Sequence, residues 1–352
     1  MEKTDKKLIY VAMSGGVDSS VAALLLKRQG YDVIGVFMKL FSKTKETEAK
    51  KVCKKLNIPF LIWDFKKEFK KIVIDNFIKE YKKGNTPNPC VVCNPEIKFG
   101  LFLKKALKSG AFSCRQTEIY IATGHYVKLQ KLKNKNIYQL FQAKDKNKDQ
   151  SYFLWKLNQE QLKHCIFPLG DFTKEEIKKI AKENKLIPDF KKESQEICFV
   201  KDVNTIEFLK KWIKPKKGNI INFKNKEKIG EHQGARFYTI GQRAPVGGTG
   251  PYYIIKKDLK RNELLVIKKN DKEFSFPKIK LKNINWVAGK APKSRKILAR
   301  TRYKEILIPA KFIVYKSSFF IQFDKPVRFI ASGQSAVFYN KNKKLLGGGI
   351  II

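Results

Sequence analysis

The chain has 352 residues, 43% of them hydrophobic, and 75 Lys plus Arg against 32 Asp plus Glu give it a formal charge of +43. That length predicts two or three domains with ample cores. No run reaches the roughly 20 apolar residues of a membrane helix, and the opening "MEKTDKK" lacks a leader's apolar length, so a cytoplasmic location is expected.

The positive excess points to a polyanionic partner, nucleic acid being the commonest. Lysine is so widely spread that composition bias explains part of it, and charge alone does not establish RNA binding.

"LIYVAM" reads as a short strand and "VAALLLKRQG" as a helix closed by Gly30. Between them stands "SGGVDSS". Gly15 and Gly16 let backbone approach a ligand, and N–H groups at a helix start attract an anion. Ser14, Ser19 and Ser20 add hydroxyl donors, and Asp18 suits a magnesium ion beside phosphates. The string lacks the Gly-Lys-Ser/Thr ending of a Walker A loop, so γ-phosphate transfer is not indicated.

"DVIGVFM", helical "TEAKKVCKKLNI" and strand "FLIWDF" follow, then an amphipathic stretch from Lys67 to Lys83 and the strand "IYIATGHYV". This alternation predicts an α/β domain with a parallel sheet covered on both faces. Ligands in such sheets bind beyond the C-terminal strand ends, where the glycine loop and Gly124-His125 both fall. Thr173 and Glu176 have capping-box spacing, so a helix begins near Lys174. From about 216 the chain is Gly-rich and strand-like, as in "GARFYTIGQR" and "GGTGPYYIIKKD". From about 273, short alternating strands such as "AKFIVYK", "SFFIQF" and "SAVFYN" predict a small β-barrel. The expected domains are 1–205, 206–272 and 273–352.

Six cysteines in a chain of this kind do not read as a disulfide framework. Cys53, Cys114 and Cys165 lie in ordinary amphipathic surroundings and read as packing residues. Cys90 and Cys93 form a Cys-x-x-Cys in "GNTPNPCVVCNPEIKFG", and Cys198 lies in "KKESQEICFV". A structural zinc site would want a second Cys/His pair at matching spacing, which the sequence lacks.

The set "SGGVDSS", "TPNPCxxCNxxIKF", "ATGHY", "KDQSYFL", "SQEICF" and "YTIGQR", continued by "TRY" and "SGQSAVFY", closely resembles the tRNA-specific 2-thiouridylase family. "SGGVDSS" is similar to the PP-loop of ATP pyrophosphatases, which split ATP between the α and β phosphates. The resemblance implies that ATP adenylates the C2 oxygen of the wobble uridine of tRNA and that sulfur then replaces it. It implies a persulfide on Cys198, loaded by a cysteine desulfurase or relay protein, and a catalytic Cys93 that forms a transient disulfide with it. ATP contacts fall on Ala12, Met13, Ser14, Gly15, Gly16, Val17, Asp18, Ser19, Met38 and Gly124. Asn88, Pro89 and Cys90 surround the target base. His125, Lys148, Asp149, Gln150, Arg302, Tyr303 and Gln334 meet tRNA, with Arg302 forking onto phosphate and Tyr303 stacking on a base. Family members act on the tRNAs for lysine, glutamate and glutamine.

Some members carry aspartate, with an acid/base role, where this chain has Cys90. An iron–sulfur cluster on Cys90, Cys93 and Cys198 stays open as an alternative. Two other functions stay open: a PP-loop amidotransferase or ligase indifferent to its cysteines, and an RNA-binding protein without turnover.

Overall fold

The computed structural model describes residues 7–41, 46–110, 118–132, 135–186, 197–200, 204–247, 250–268 and 274–352. Cys114 and the "SQE" of "SQEIC" lie outside them.

The apolar runs of the first half become β1 (Lys7–Ala12), β2 (Asp32–Lys39), β3 (Phe60–Asp64) and β4 (Glu118–Ala122). A two-strand hairpin, β5 (Val127–Lys131) with β6 (Tyr138–Gln142), precedes the short β7 (Cys165–Ile166). The parallel sheet runs β3-β2-β1-β4-β7. Helix α1 (Val17–Arg28) packs Val21, Ala22 and Leu26 on one face of it, and α2 (Glu46–Lys55) adds Ala49, Val52 and Cys53 to that core. The other face is covered by Phe99, Phe102 and Ala106 of a helical run. The capping box forms as expected: Thr173 accepts from Glu176 N, and Glu176 accepts from Thr173 N, at the head of the helix Lys174–Glu183.

Two helical runs depart from simple α periodicity. Residues 66–82 include a π segment at Lys70–Ile74, and residues 89–110 include one at Asn94–Leu101. An α-shaped hydrophobic pattern does not announce such turns, which are rare and cluster at functional sites.

The central domain is a sheet of β8 (Gly218–Asn222), β9 (Lys228–His232), β10 (Tyr252–Asp258) and β11 (Glu263–Lys268), in the order β10-β11-β8-β9. Its core includes Phe77 and Tyr81 from the 66–82 run, so it is packed directly onto the first domain. "GARFYTIGQR" is not a strand: Ala235–Phe237 form a 3₁₀ turn, and Gly234 at φ 141° lies outside the range of an L side chain. β12 (Ser275–Trp286), β13 (Lys296–Arg300), β14 (Ile308–Tyr315), β15 (Ser318–Arg328), β16 (Ser335–Tyr339) and β17 (Leu345–Ile351) close into a barrel. No helix among the described residues is long and apolar enough to cross a membrane.

Candidate active site

At the carboxyl end of β1 the chain turns through Gly15, whose φ of 73° favours glycine, into α1. The N-cap is Gly16, which offers no side-chain cap, so the first N–H groups of the helix face outward as an anion site. The hydroxyls differ from the sequence expectation. Ser19 Oγ donates to Gly16 O at 3.0 Å and Ser20 Oγ to the same carbonyl at 2.9 Å. Both serines are buried and brace the loop, which leaves Ser14 as the exposed hydroxyl.

Ala12 and Met13 are buried behind the loop, and Met38 is half-buried near the end of β2, where an apolar wall would stand. Gly124 supports the loop from the neighbouring strand end. A Cβ there would sit 2.9 Å from Asp18 C and Ser19 N, so glycine is required for this approach. His125 is buried, with Nδ1 2.7 Å from Thr123 Oγ1 and its ring against Phe99 and Phe167. Burial holds it well below the usual histidine range, hence neutral. It is a buried, packed ring next to Gly124.

Asp18 Oδ1 accepts from Tyr126 Oη at 2.7 Å and from Lys174 Nζ at 2.7 Å. Tyr126 is in turn fixed by Gln150, whose Oε1 accepts from Tyr126 N at 2.9 Å. Sequence reasoning missed Lys174. Its signal was a lysine in the first turn of a helix, where a cation opposes the helix dipole.

Asn88 caps the short helix Pro89–Cys93 by accepting from Cys90 N at 3.1 Å, which fixes both thiols on one rigid element. Cys93 is buried in a cluster with Phe69, Val73 and Ile97, against which Phe199 also packs. Phe199 is the neighbour of Cys198, so the distant cysteine segment is anchored on the cluster that encloses Cys93. Cys198 is exposed and Cys93 is only 6% accessible. Burial pushes the Cys93 thiol up to about 12; Lys98 opposes this, while Cys198 and Cys90 reinforce it from within electrostatic reach. The π turn explains the place of Lys98. Residues five apart lie about 140° apart around an α-helix, whereas i→i+5 bonding stacks them on one side.

Cys90 is open to solvent, and desolvation by its surroundings pushes its thiol upward, opposed by Lys98. Tyr303 of the barrel lies within electrostatic reach of it. Because the Cys93 thiol is protonated at neutral pH, its alkylation by iodoacetamide should quicken by up to about tenfold per pH unit. Site-resolved mass spectrometry reads the rate; a plateau below about pH 9 would contradict the buried setting.

No group of three His, Cys, Asp or Glu side chains that could hold a metal ion exists among the described residues.

The segment "KDQSYFL" lies in the joint between the first domain and the barrel. Asp149 is buried, and its Oδ2 accepts from Arg300 Nη2 at 2.8 Å. Tyr152 Oη donates to Ser335 O at 2.9 Å, and Trp155 lies under the backbone of Gly348. Asp149 is thus an internal brace; of the three residues expected to meet tRNA there, Lys148 and Gln150 are only partly buried.

Arg302 also has a different post. Its Nη2 donates to Ile240 O at 2.6 Å and to Phe329 O at 2.5 Å, so the guanidinium ties the central domain to the barrel. Tyr303 packs on Phe153 with ring centroids 4.5 Å apart. Gln334 Nε2 donates to Thr86 O at 2.8 Å, and Thr86 N donates to Ser332 O at 2.8 Å. The barrel thereby holds the loop that leads into Asn88, Pro89 and Cys90.

These features define a nucleotide-binding α/β domain of the HUP class, with a thiol-bearing segment in the helical run that covers one face of its sheet and two β domains attached. Family models agree: a tRNA methyl transferase HUP domain matches residues 7–202, a tRNA methyl transferase PRC-barrel domain 206–268, and an aminomethyltransferase beta-barrel domain 276–351. The chain is 41% identical over 368 residues to the tRNA-specific 2-thiouridylase MnmA of Francisella tularensis subsp. novicida, covering 99% of this chain and 100% of that one. It is 42% identical over 366 residues to the protein of the same name from Treponema denticola, covering 97% of each. The chain belongs to the tRNA-specific 2-thiouridylase family.

Proposed function

We propose that this protein catalyses the ATP-dependent replacement of the C2 oxygen of the wobble uridine of tRNA by sulfur. The observation that carries the reading is the shared neighbourhood of Cys93 and the Cys198 segment, in the same domain as the glycine loop at the head of α1.

In the first step the uridine O2 attacks the α-phosphorus of ATP. The bond to the β-phosphate oxygen breaks, and pyrophosphate leaves with its electron pair. The outward N–H groups of α1 hold the phosphates through this step. The terminal sulfur of a Cys198 persulfide then attacks C2, and AMP departs with the C2–O electron pair. The Cys93 thiol attacks Cys198 Sγ, the sulfur–sulfur bond breaks with its electron pair staying on the sulfur now at C2, and the proton that Cys93 loses passes to the departing thiolated base. A Cys93–Cys198 disulfide remains, and an external thiol reductant reopens it.

The exposure of Cys198 suits loading by a desulfurase or relay protein, whereas the burial of Cys93 shields it from that donor. The target base would lie between Asn88, Pro89, Cys90 and Tyr303, with Lys148 toward the backbone. Magnesium is held in nucleotide sites by one or two carboxylates plus phosphates. Asp18 fits that role through its second oxygen, since Oδ1 already has two donors. Its chemistry would be to neutralise the triphosphate. The tRNAs for lysine, glutamate and glutamine are the proposed substrates, and the cytoplasm is the proposed site of action.

Purified protein with ATP, magnesium, tRNA and a sulfur donor should give 2-thiouridine at the wobble position by nucleoside mass spectrometry, and omission of ATP should abolish it. A complete mixture that leaves the wobble base unchanged ends the proposal.

A further inference from the structure

Lys174 stands out among the charged side chains of the molecule. It is only 3% accessible, it opens the ten-residue helix Lys174–Glu183, and its ammonium lies 2.7 Å from Asp18 Oδ1 on the phosphate loop. Two penalties oppose this placement. An ammonium loses its hydration on burial, and a cation at a helix N-terminus meets the positive end of the dipole. The sequence carries it there across 156 residues, and Tyr126 hydroxyl holds the same carboxylate oxygen.

The loop itself supplies a complementary fact. "SGGVDSS" contains no lysine, and its one charged side chain, Asp18, is an anion in the first turn of α1, next to the N–H groups that would take a phosphate. Phosphates laid on the α1 N-terminus would approach that carboxylate and be repelled. A cation within side-chain reach offsets the repulsion and gives the β- and γ-phosphates a direct donor. Asp18 and Tyr126 then serve to park the ammonium beside the loop until nucleotide arrives. A plain structural brace between α1 and the Lys174 helix would need no particular nucleotide, and this separates the two roles.

We infer that Lys174 is the phosphate-binding lysine of this site, the cation that meets the β- and γ-phosphates of ATP and the pyrophosphate that leaves. The inference rests on the loop taking ATP. It goes further in naming a residue and in predicting which part of the nucleotide the residue touches.

The test is the binding of ATP, AMP and pyrophosphate by calorimetry, in the full chain with magnesium, for wild type and Lys174→Met. The variant should bind ATP and pyrophosphate about 10- to 100-fold more weakly, the weight of one charge-assisted hydrogen bond, with AMP within about twofold. Lys174→Arg should regain most of the loss. Equal weakening of ATP and AMP, or unchanged binding of both, overturns the assignment in favour of a brace.

A measurement on wild type needs no variant to fold. In ¹⁵N-lysine-labelled protein the Lys174 ammonium resonance should shift with pyrophosphate and with ATP but not with AMP; equal shifts with all three, or none with pyrophosphate, overturn it. Wild type that binds no ATP at all would overturn the underlying ATP reading as well, and the two failures are thereby told apart.

Discussion

Serine in place of Cys93 or of Cys198 is expected to lower 2-thiouridine formation by about a thousandfold or more, with ATP binding unchanged within about twofold. The two losses have different causes. Cys198 is exposed where a donor can reach it, and serine there cannot carry a persulfide. Cys93 is enclosed by Phe69, Val73 and Ile97, and serine there cannot open the Cys198–sulfur bond. Cys198→Ser should therefore stop before sulfur reaches tRNA. Cys93→Ser should stop after it, with tRNA joined to Cys198 through a disulfide that gel electrophoresis without reductant detects. The double variant should be no worse than either single one, because residues that act as a unit do not add. Cys93→Ser also places a hydroxyl in an apolar cluster, at a cost of about 1–3 kcal/mol, so thermal melting belongs beside the assay. Either variant keeping about a tenth of wild-type turnover would sink the two-thiol relay.

Local patterns were legible in the sequence and long-range pairings were not. The strand–Gly15–Gly16–helix turn could be read because its chemistry lies within seven consecutive residues, and the Thr173–Glu176 capping box because its partners are three apart. The meeting of Cys93 with the Cys198 segment was expected only from the family resemblance. No spacing in the sequence encodes the aromatic packing of Phe199 on Phe69 and Phe77 that achieves it. Ser19 and Ser20 look like phosphate donors in a linear reading; which way a hydroxyl turns depends on the Gly16 carbonyl one turn back. Arg302 was read as a phosphate fork because an arginine beside a tyrosine carries no mark of the two carbonyls, Ile240 and Phe329, that it holds. The π turns were hidden because their hydrophobic positions pass for an α pattern until the fifth residue is placed, and Lys98 gains its position beside the thiols from that geometry.

Asp149→Ala is expected to destabilise the protein by about 3–5 kcal/mol, the usual cost of stranding one partner of a buried ion pair. Asp149 is a hub rather than a single contact. Its carboxylate accepts from Arg300, Gln142, Ser151 Oγ and the backbone N–H groups of Ala143 and Ser151. Arg300 is 5% exposed in its side chain and its Nε has no hydrogen-bond partner, so removal of Asp149 leaves the guanidinium with its hydrogen bond to Tyr339 and the faces of the Tyr152 and Tyr339 rings, and no counter-charge among the described contacts. Alanine should lower the thermal midpoint sharply. The Asp149→Asn variant should recover part of the hydrogen bonding but not the charge, and so fall between. Asp149→Ala with Arg300→Met should be less unstable than Asp149→Ala alone, since a buried charge without a partner is worse than none. A direct contact with tRNA predicts the reverse ordering of symptoms: a normal melting curve with weakened RNA binding. The joint also sets the position of Tyr303, because the Tyr152 ring packs on that tyrosine and Arg300 lies over the Tyr152 ring. Loosening the ion pair should therefore impair thiolation even at temperatures where Asp149→Ala remains folded, and a variant that melts early yet thiolates normally below its transition would show that the joint sustains the fold and nothing more.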